Sequence, residues 1–206
     1  MGFRVPAEPA ERAGRGCLFV VADGLGGLSR GEVASRLAVE TALARYDLER
    51  KAGWWLKDAV VEANHAVYSA NLPAPADSIA TTVTLSLLSP KLLRVANVGD
   101  CRLYRLREAS FEPLTTDHSE SRHVLSRALG TRPSVETDYF ELPARSEDRY
   151  LQCSDGLYAT MSDGEIAAIL ASADSATCCR ELVALANRRG GPDNITVQVF
   201  IGTEAE

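Results

Sequence analysis

Apolar and polar positions follow two periods along this chain, and the changes of period mark out its elements. From Cys17 to Ala22 the run "CLFVVA" is continuously apolar and rich in Val and Phe, the pattern of a strand buried on both faces. From Arg30 the spacing turns helical, with Ala34, Leu37, Ala38, Thr41 and Ala42 on one face and charges opposite. A second helix is predicted from about Trp54 to Asn71, with Leu56, Val60, Ala63 and Val67 on its stripe. Strand patterns then come in quick succession. "TTVTLSLL" turns at Ser89-Pro90 into "LLRVANV", and Gly99-Asp100 leads into "CRLYRL" as a two-residue hairpin connection. The stretch from about Thr115 to Glu147 is polar and irregular. "RYLQCS" is a further strand, ending at Asp155-Gly156. Ser162-Asp163-Gly164-Glu165 has the form of a capping box and should start a helix. One more helix, roughly Ala176 to Arg188, stops at Gly190-Gly191, and "NITVQVFI" is the closing strand.

Grouped hairpins and paired helices predict an α+β fold rather than a βαβ alternation, which counts against a dinucleotide-binding sheet. The 206 residues, 46% of them hydrophobic, fit one domain over residues 1–206, with residues 1–16 as an atypical polar lead-in. A formal net charge of −6 argues against non-specific nucleic-acid binding and against docking on anionic membranes. No apolar run approaches the roughly 20 residues of a membrane helix, and "MGFRVPAEPAERAGRG" lacks the apolar centre of a signal peptide. The five cysteines are odd in number and form no CxxC pair, so they read as reduced packing residues of a cytoplasmic protein.

The candidate chemistry begins at "LFVVADGLGGL". A nucleotide loop needs Gly-x-Gly-x-x-Gly; Gly24 and Gly26 fit, but Ser29 takes the third place and Asp23 would repel a pyrophosphate. No lysine follows in P-loop position. The other reading rests on a repeated pattern. Asp23-Gly24 follows one apolar strand, Asp155-Gly156 follows another, and Asp193-Asn194 precedes a third. If those strands are neighbours, three carboxylates converge at one sheet end and call for a divalent cation to offset their repulsion. An all-oxygen set suits Mg²⁺ or Mn²⁺, and zinc poorly. Asp-Gly is equally a common turn dipeptide, so on pattern alone the turn and ligand readings both stand.

"VVADGLGGLSRGEVASRLAVE", "NVGDCRLYRL", "LTTDHS", "SRALG", "CSDGLYATMSDGEI" and "GGPDNITVQV", in that order, resemble the metal-dependent Ser/Thr protein phosphatases of the protein phosphatase 2C family, in bacterial form. The likeness runs from about Cys17 to Ile201. It implies two packed antiparallel sheets flanked by helix pairs. It implies that Asp23 bridges two Mn²⁺ or Mg²⁺ ions, that the Gly24 carbonyl is a ligand of one, and that Asp155 and Asp193 hold the other. Asp117 would join Asp155 at a third, weaker metal site, against the plain alternative of an N-cap or Asx turn. A metal-activated water would attack phosphorus in line, so no cysteine need be a nucleophile. Cys101 stands where bacterial relatives usually carry Ser, and Leu25 where eukaryotic ones carry His. In "RVPAEPA", Arg4 would match the family's phosphate-gripping Arg and Glu8 its first acid for the second metal, while Pro9 replaces the second acid. A polar lead-in is the alternative for that segment. Few residues separate His118 from "LSRALG", so the family's flap subdomain is missing and the site rim should be open. His118 reads as a loop or cap residue. The expected substrate is a phosphorylated protein made by a Ser/Thr kinase, with no nucleic-acid or membrane partner. Two alternatives remain: a catalytically weak regulatory or binding module, and a small-molecule phosphoesterase.

Overall fold

The computed structural model describes residues 1–25, 30–73, 77–121 and 124–202, the side chain of Ser121 excepted. In chain order the elements are β1 (Gly2–Arg4), α1 (Pro9–Arg15), β2 (Cys17–Val21), α2 (Gly31–Leu48), α3 (Trp55–Asn71), β3 (Val83–Ser89), β4 (Leu92–Val98), β5 (Arg102–Arg107) and β6 (Ser110–Pro113). There follow β7 (Ser119–Ser121), β8 (Val124–Leu125), β9 (Asp138–Pro143), β10 (Arg149–Cys153), α4 (Asp155–Tyr158), α5 (Asp163–Ser172), α6 (Ser175–Arg188) and β11 (Val197–Ile201). One antiparallel sheet has the order β1-β2-β3-β4-β9 and the other β11-β10-β5-β6, with β7-β8 as a small separate pair.

The period of each strand explains its layer. Along β2, Leu18 and Val20 join Ala38, Ala42, Leu56 and Val60 in a core beneath α2 and α3. The intervening Phe19 faces the other way and stacks on Phe200 of β11 at 3.9 Å. A continuous apolar run is therefore what a strand between helices and a second sheet requires. On the far side, Leu151, Cys153 and Val197 pack against Ile166, Leu170 and Leu182 of α5 and α6. Between the sheets Leu88, Leu93, Val95, Leu103, Tyr150 and Phe200 form the inner core. The layers are helix, sheet, sheet, helix, the α+β sandwich that the resemblance implied. The capping box is present: the Ser162 N–H donates to Glu165 Oε2 at 3.0 Å.

Gly99-Asp100 is not a hairpin. β4 pairs with β3 and β9, whereas β5 pairs with β10 and β6, so this link carries the chain from one sheet to the other. Gly99 adopts φ 106, and a Cβ there would lie 2.4 Å from Thr82 Cγ2, so the crossing needs glycine. The polar stretch after Thr115 holds an edge strand, β9, whose residues are mostly half-buried and so lack a clear alternation. The lead-in is also structured. β1 pairs antiparallel with β2, and α1 starts on Pro9, where a missing N–H costs nothing.

Candidate functional site

The aspartates singled out at strand mouths meet at one end of the sandwich. Asp23 follows β2, and its backbone is fixed by the β3 approach. Its N–H donates to Thr82 Oγ1 at 3.0 Å, and its carbonyl accepts from Thr82 N–H at 2.9 Å and Thr81 Oγ1 at 2.8 Å. Gly24 is required by close approach, not by a turn: a Cβ would fall 2.1 Å from the Gly31 carbonyl oxygen. Gly26 and Ser29, the remaining positions of the nucleotide-loop alternative, lie outside the described residues.

Asp155 and Asp193 are brought together by neighbouring strands, since Cys153 of β10 stands opposite Val197 of β11. The two segments then interlock. Ser154 Oγ donates to the Asn194 carbonyl at 3.1 Å and accepts from Thr196 N–H at 3.0 Å. A Cβ on Gly156 would lie 2.4 Å from the Asn194 carbonyl oxygen, so only glycine lets α4 start against this loop. A cleft of about 450 Å³ opens here, with Asp100, Arg102, Asp117, Asp155, Tyr158 and Asp193 on its walls.

Burial and charge crowding together set the electrostatics of the cluster. Burial first, and then Asp155, Asp193 and Asp100, push the Asp23 carboxyl up to about 7. Burial and then Asp155 raise Asp100 to about 6. Among the described residues, no three His, Cys, Asp or Glu side chains already surround a single point as ion ligands. Carboxylates crowded in this way repel one another, which favours the protonated form of Asp23. The donor set does fit hard dications: it is all oxygen, and a cation in the cleft would offset the repulsion between its carboxylates. Cys101 is no competitor. Its buried thiol is held well above its ordinary value and contacts Thr82 Oγ1 at 3.1 Å. Burial raises Cys153 as well, so neither thiol is a nucleophile at neutral pH.

Asp117 is in the cleft wall, though neither as an N-cap nor as an Asx turn. Its two oxygens accept from Arg102, with Nε at 2.9 and 3.2 Å and Nη2 at 2.7 Å. His118 is buried and ties loops together. Its Nδ1 accepts from Gly99 N–H at 3.1 Å, its own N–H donates to the Gly99 carbonyl at 3.1 Å, and Nε2 faces Asp138 at 3.0 Å. The stretch between His118 and Ser126 carries only the β7–β8 pair among its described residues.

Arg4 does not join the cluster. β1 runs antiparallel to β2, placing Arg4 opposite Leu18, five residues before Asp23 and about 16 Å away at roughly 3.3 Å per residue. Its guanidinium pairs with Asp47, both bonds at 2.9 Å, in solvent. Glu8 precedes α1. It is the Met1 α-amino group that comes within electrostatic reach of Asp23. Asp100 is the residue that sequence reasoning missed. It too follows glycine at a strand mouth, and the hairpin reading concealed it.

The chain is matched over residues 10–190 by the family model described as protein phosphatase 2C. It is 36% identical to the serine/threonine protein phosphatase PstP of Mycobacterium tuberculosis, over 88% of this chain and 40% of that one, so it spans well under half of that relative. It is 32% identical to the serine/threonine phosphatase stp of Listeria welshimeri, over 87% of this chain and 82% of the relative. The catalytic domain of PstP, solved with two manganese ions, superposes with a TM-score of 0.82 at 32% identity, covering 96% of this chain and 95% of that one.

Proposed function

Because the chain belongs to the protein phosphatase 2C family, we propose that it is a metal-dependent phosphatase that hydrolyses phosphoserine and phosphothreonine in proteins, using two Mn²⁺ or Mg²⁺ ions. The observation that carries this reading is the convergence of Asp23, Asp100, Asp155 and Asp193, where burial and then the neighbouring carboxylates push Asp23 up to about 7. Bound there, the dications would acidify a water toward neutrality and offset charge on the phosphoryl oxygens. Asp23, the Gly24 carbonyl, Asp155 and Asp193 would hold the ions, with Asp117 adjoining a third. Thr81 and Thr82 orient Asp23 through its backbone, and the Ser154–Asn194 interlock orients Asp155 against Asp193. Leu25 supplies no proton, so leaving-group protonation falls to water. The substrate is the product of a Ser/Thr kinase. A cytoplasmic setting suits the five cysteines, all unpaired, and among the described residues no helix is long and apolar enough to cross a membrane.

A weakly catalytic binding module is the second reading. It is favoured by one observation: among the described residues lining the cleft, Arg102 is the cationic one, and its fork is committed to Asp117. Hydrolysis of a phosphothreonine peptide and of p-nitrophenyl phosphate separates the two readings. The phosphatase should lose turnover in EDTA and regain it with Mn²⁺ or Mg²⁺, and Asp155→Asn should lower the rate by at least about tenfold. Robust turnover in EDTA, or a parent-like rate for Asp155→Asn at saturating Mn²⁺, would refute the metal assignment. No turnover at any metal concentration would favour the binding module.

A further inference from the structure

The Arg102–Asp117 pair is built into the site more firmly than a surface ion pair. Arg102 opens β5, and its Nε and Nη2 cover both oxygens of Asp117. Nη1 donates to the Tyr104 hydroxyl at 2.9 Å, and Cζ lies 3.6 Å from the centre of the Tyr158 ring, which caps the guanidinium face. Tyr158 is itself anchored, its hydroxyl donating to the Asp100 carbonyl at 3.0 Å. The loops that carry the pair are joined by the reciprocal Gly99–His118 hydrogen bonds and by Leu103 N–H donating to Thr115 Oγ1 at 3.0 Å. The guanidinium is thus gripped on its edge, its face and one further nitrogen. A planar fork so held does not swing freely toward a phosphate.

Formal charges give this arrangement a meaning. Counting side chains alone and with every carboxyl ionised, as a bound cation requires, Asp23, Asp100, Asp117, Asp155 and Asp193 carry five negative charges and Arg102 one positive, leaving four. Two dications carry four positive charges and balance that remainder. A third would leave an excess of two, falling to one if the guanidinium swung out of the cleft.

Resting on the two-ion reading above, we propose that Arg102 is a resident counter-cation that neutralises Asp117 and limits the cluster to two tightly held dications. A third divalent ion gains Asp117 only when the Arg102 fork releases it. Arg102 is therefore a positioning residue that sets ion number, and it does not grip the phosphate.

The test is Mn²⁺ titration of the whole chain by calorimetry, with free Mn²⁺ counted by electron paramagnetic resonance. The parent, Arg102→Gln, Arg102→Lys and the double variant Arg102→Gln/Asp117→Asn are compared. The parent should take up two ions tightly and a third weakly. In Arg102→Gln the third ion should tighten by at least about tenfold, because it no longer has to displace a charge-assisted fork from Asp117. Arg102→Lys, which keeps the charge but not the fork, should tighten it less, and the double variant should lose the gain. Unchanged Mn²⁺ binding in Arg102→Gln overturns the proposal, most plainly if inhibition by inorganic phosphate weakens at the same time, since Arg102 would then be the phosphate grip. A parent that binds two ions while Arg102→Gln leaves the third unaltered sinks this inference alone. A parent that binds none sinks the two-ion reading with it. Should Arg102→Gln fail to fold, Asp117→Asn carries the test: it should keep two tight ions and lose the third, and retention of the third overturns the proposal.

Discussion

Without metal, this fold should grow less stable as pH rises from 5 to 7, the reverse of ordinary acid-sensitive behaviour. Asp23 titrates near 7 in the fold against 3.8 ordinarily, and Asp100 near 6. Both are raised, so in that window the folded state keeps protons that the unfolded chain has released, and unfolding gains with each increment of pH. At about 1.4 kcal/mol per pH unit, Asp23 alone loses up to about 3 kcal/mol between pH 5 and 7. Asp100 shares Asp155 as a neighbour, so its loss does not add in full, and about 2–4 kcal/mol is expected together. For a chain of this size that is on the order of 5–10 °C in Tm. Carboxylates held below their ordinary values, such as Asp138, Asp148 and Glu165, lend stability that is lost only at lower pH, so they do not alter the slope. The Met1 amino group, lowered by burial from 8.0, works the opposite way near the top of the range, which is why the comparison stops at pH 7. Thermal melts in EDTA at pH 5, 6 and 7 measure the slope. Saturating Mn²⁺, which binds the ionised carboxylates, should abolish or invert it. A Tm that is flat or rising in EDTA, or a full slope surviving in Asp23→Asn, would refute the crowding argument.

Two further outcomes are expected. Gly156→Ala should push the Asn194 carbonyl away, since the new Cβ would sit 2.4 Å from it; a loss of about 1–3 kcal/mol in chemical denaturation and weaker Mn²⁺ binding should follow, and curves superimposable on the parent would show that the loop yields freely. Arg4→Ala should leave KM unchanged and shift stability by no more than about 0.5 kcal/mol, because Arg4 pairs with Asp47 in solvent; a several-fold rise in KM for Arg4→Ala would return that residue to the site.

The parts of this molecule that were legible in its sequence are those whose cause is local. "CLFVVA" reads as a doubly covered strand because Phe19 and its neighbours Leu18 and Val20 need apolar surroundings on both faces. The Ser162 capping box is written within four residues. Asp23, Asp155 and Asp193 were legible because each stands at a strand mouth beside glycine or asparagine. What failed depended on pairing. A two-residue Gly-Asp link looks the same whether the next strand folds back or crosses to another sheet, so Asp100 was read as a turn. Arg4 stands at a plausible sequence distance from Asp23, but antiparallel pairing of β1 with β2 carries it away from that residue. The Arg102–Asp117 contact, spanning fifteen positions, leaves no periodic trace.

The aspartates of the cleft are not the property of one sheet. Asp23 follows β2 and Asp100 leaves β4 in the first, while Asp155 and Asp193 border β10 and β11 in the second. The cluster is therefore absent from either sheet alone and comes into being only when the Phe19–Phe200 seam closes. An ion held there acts as a clasp on the finished assembly: it rewards docking without guiding the formation of either sheet. Its influence belongs to the lifetime of the folded molecule, not to the speed of reaching it.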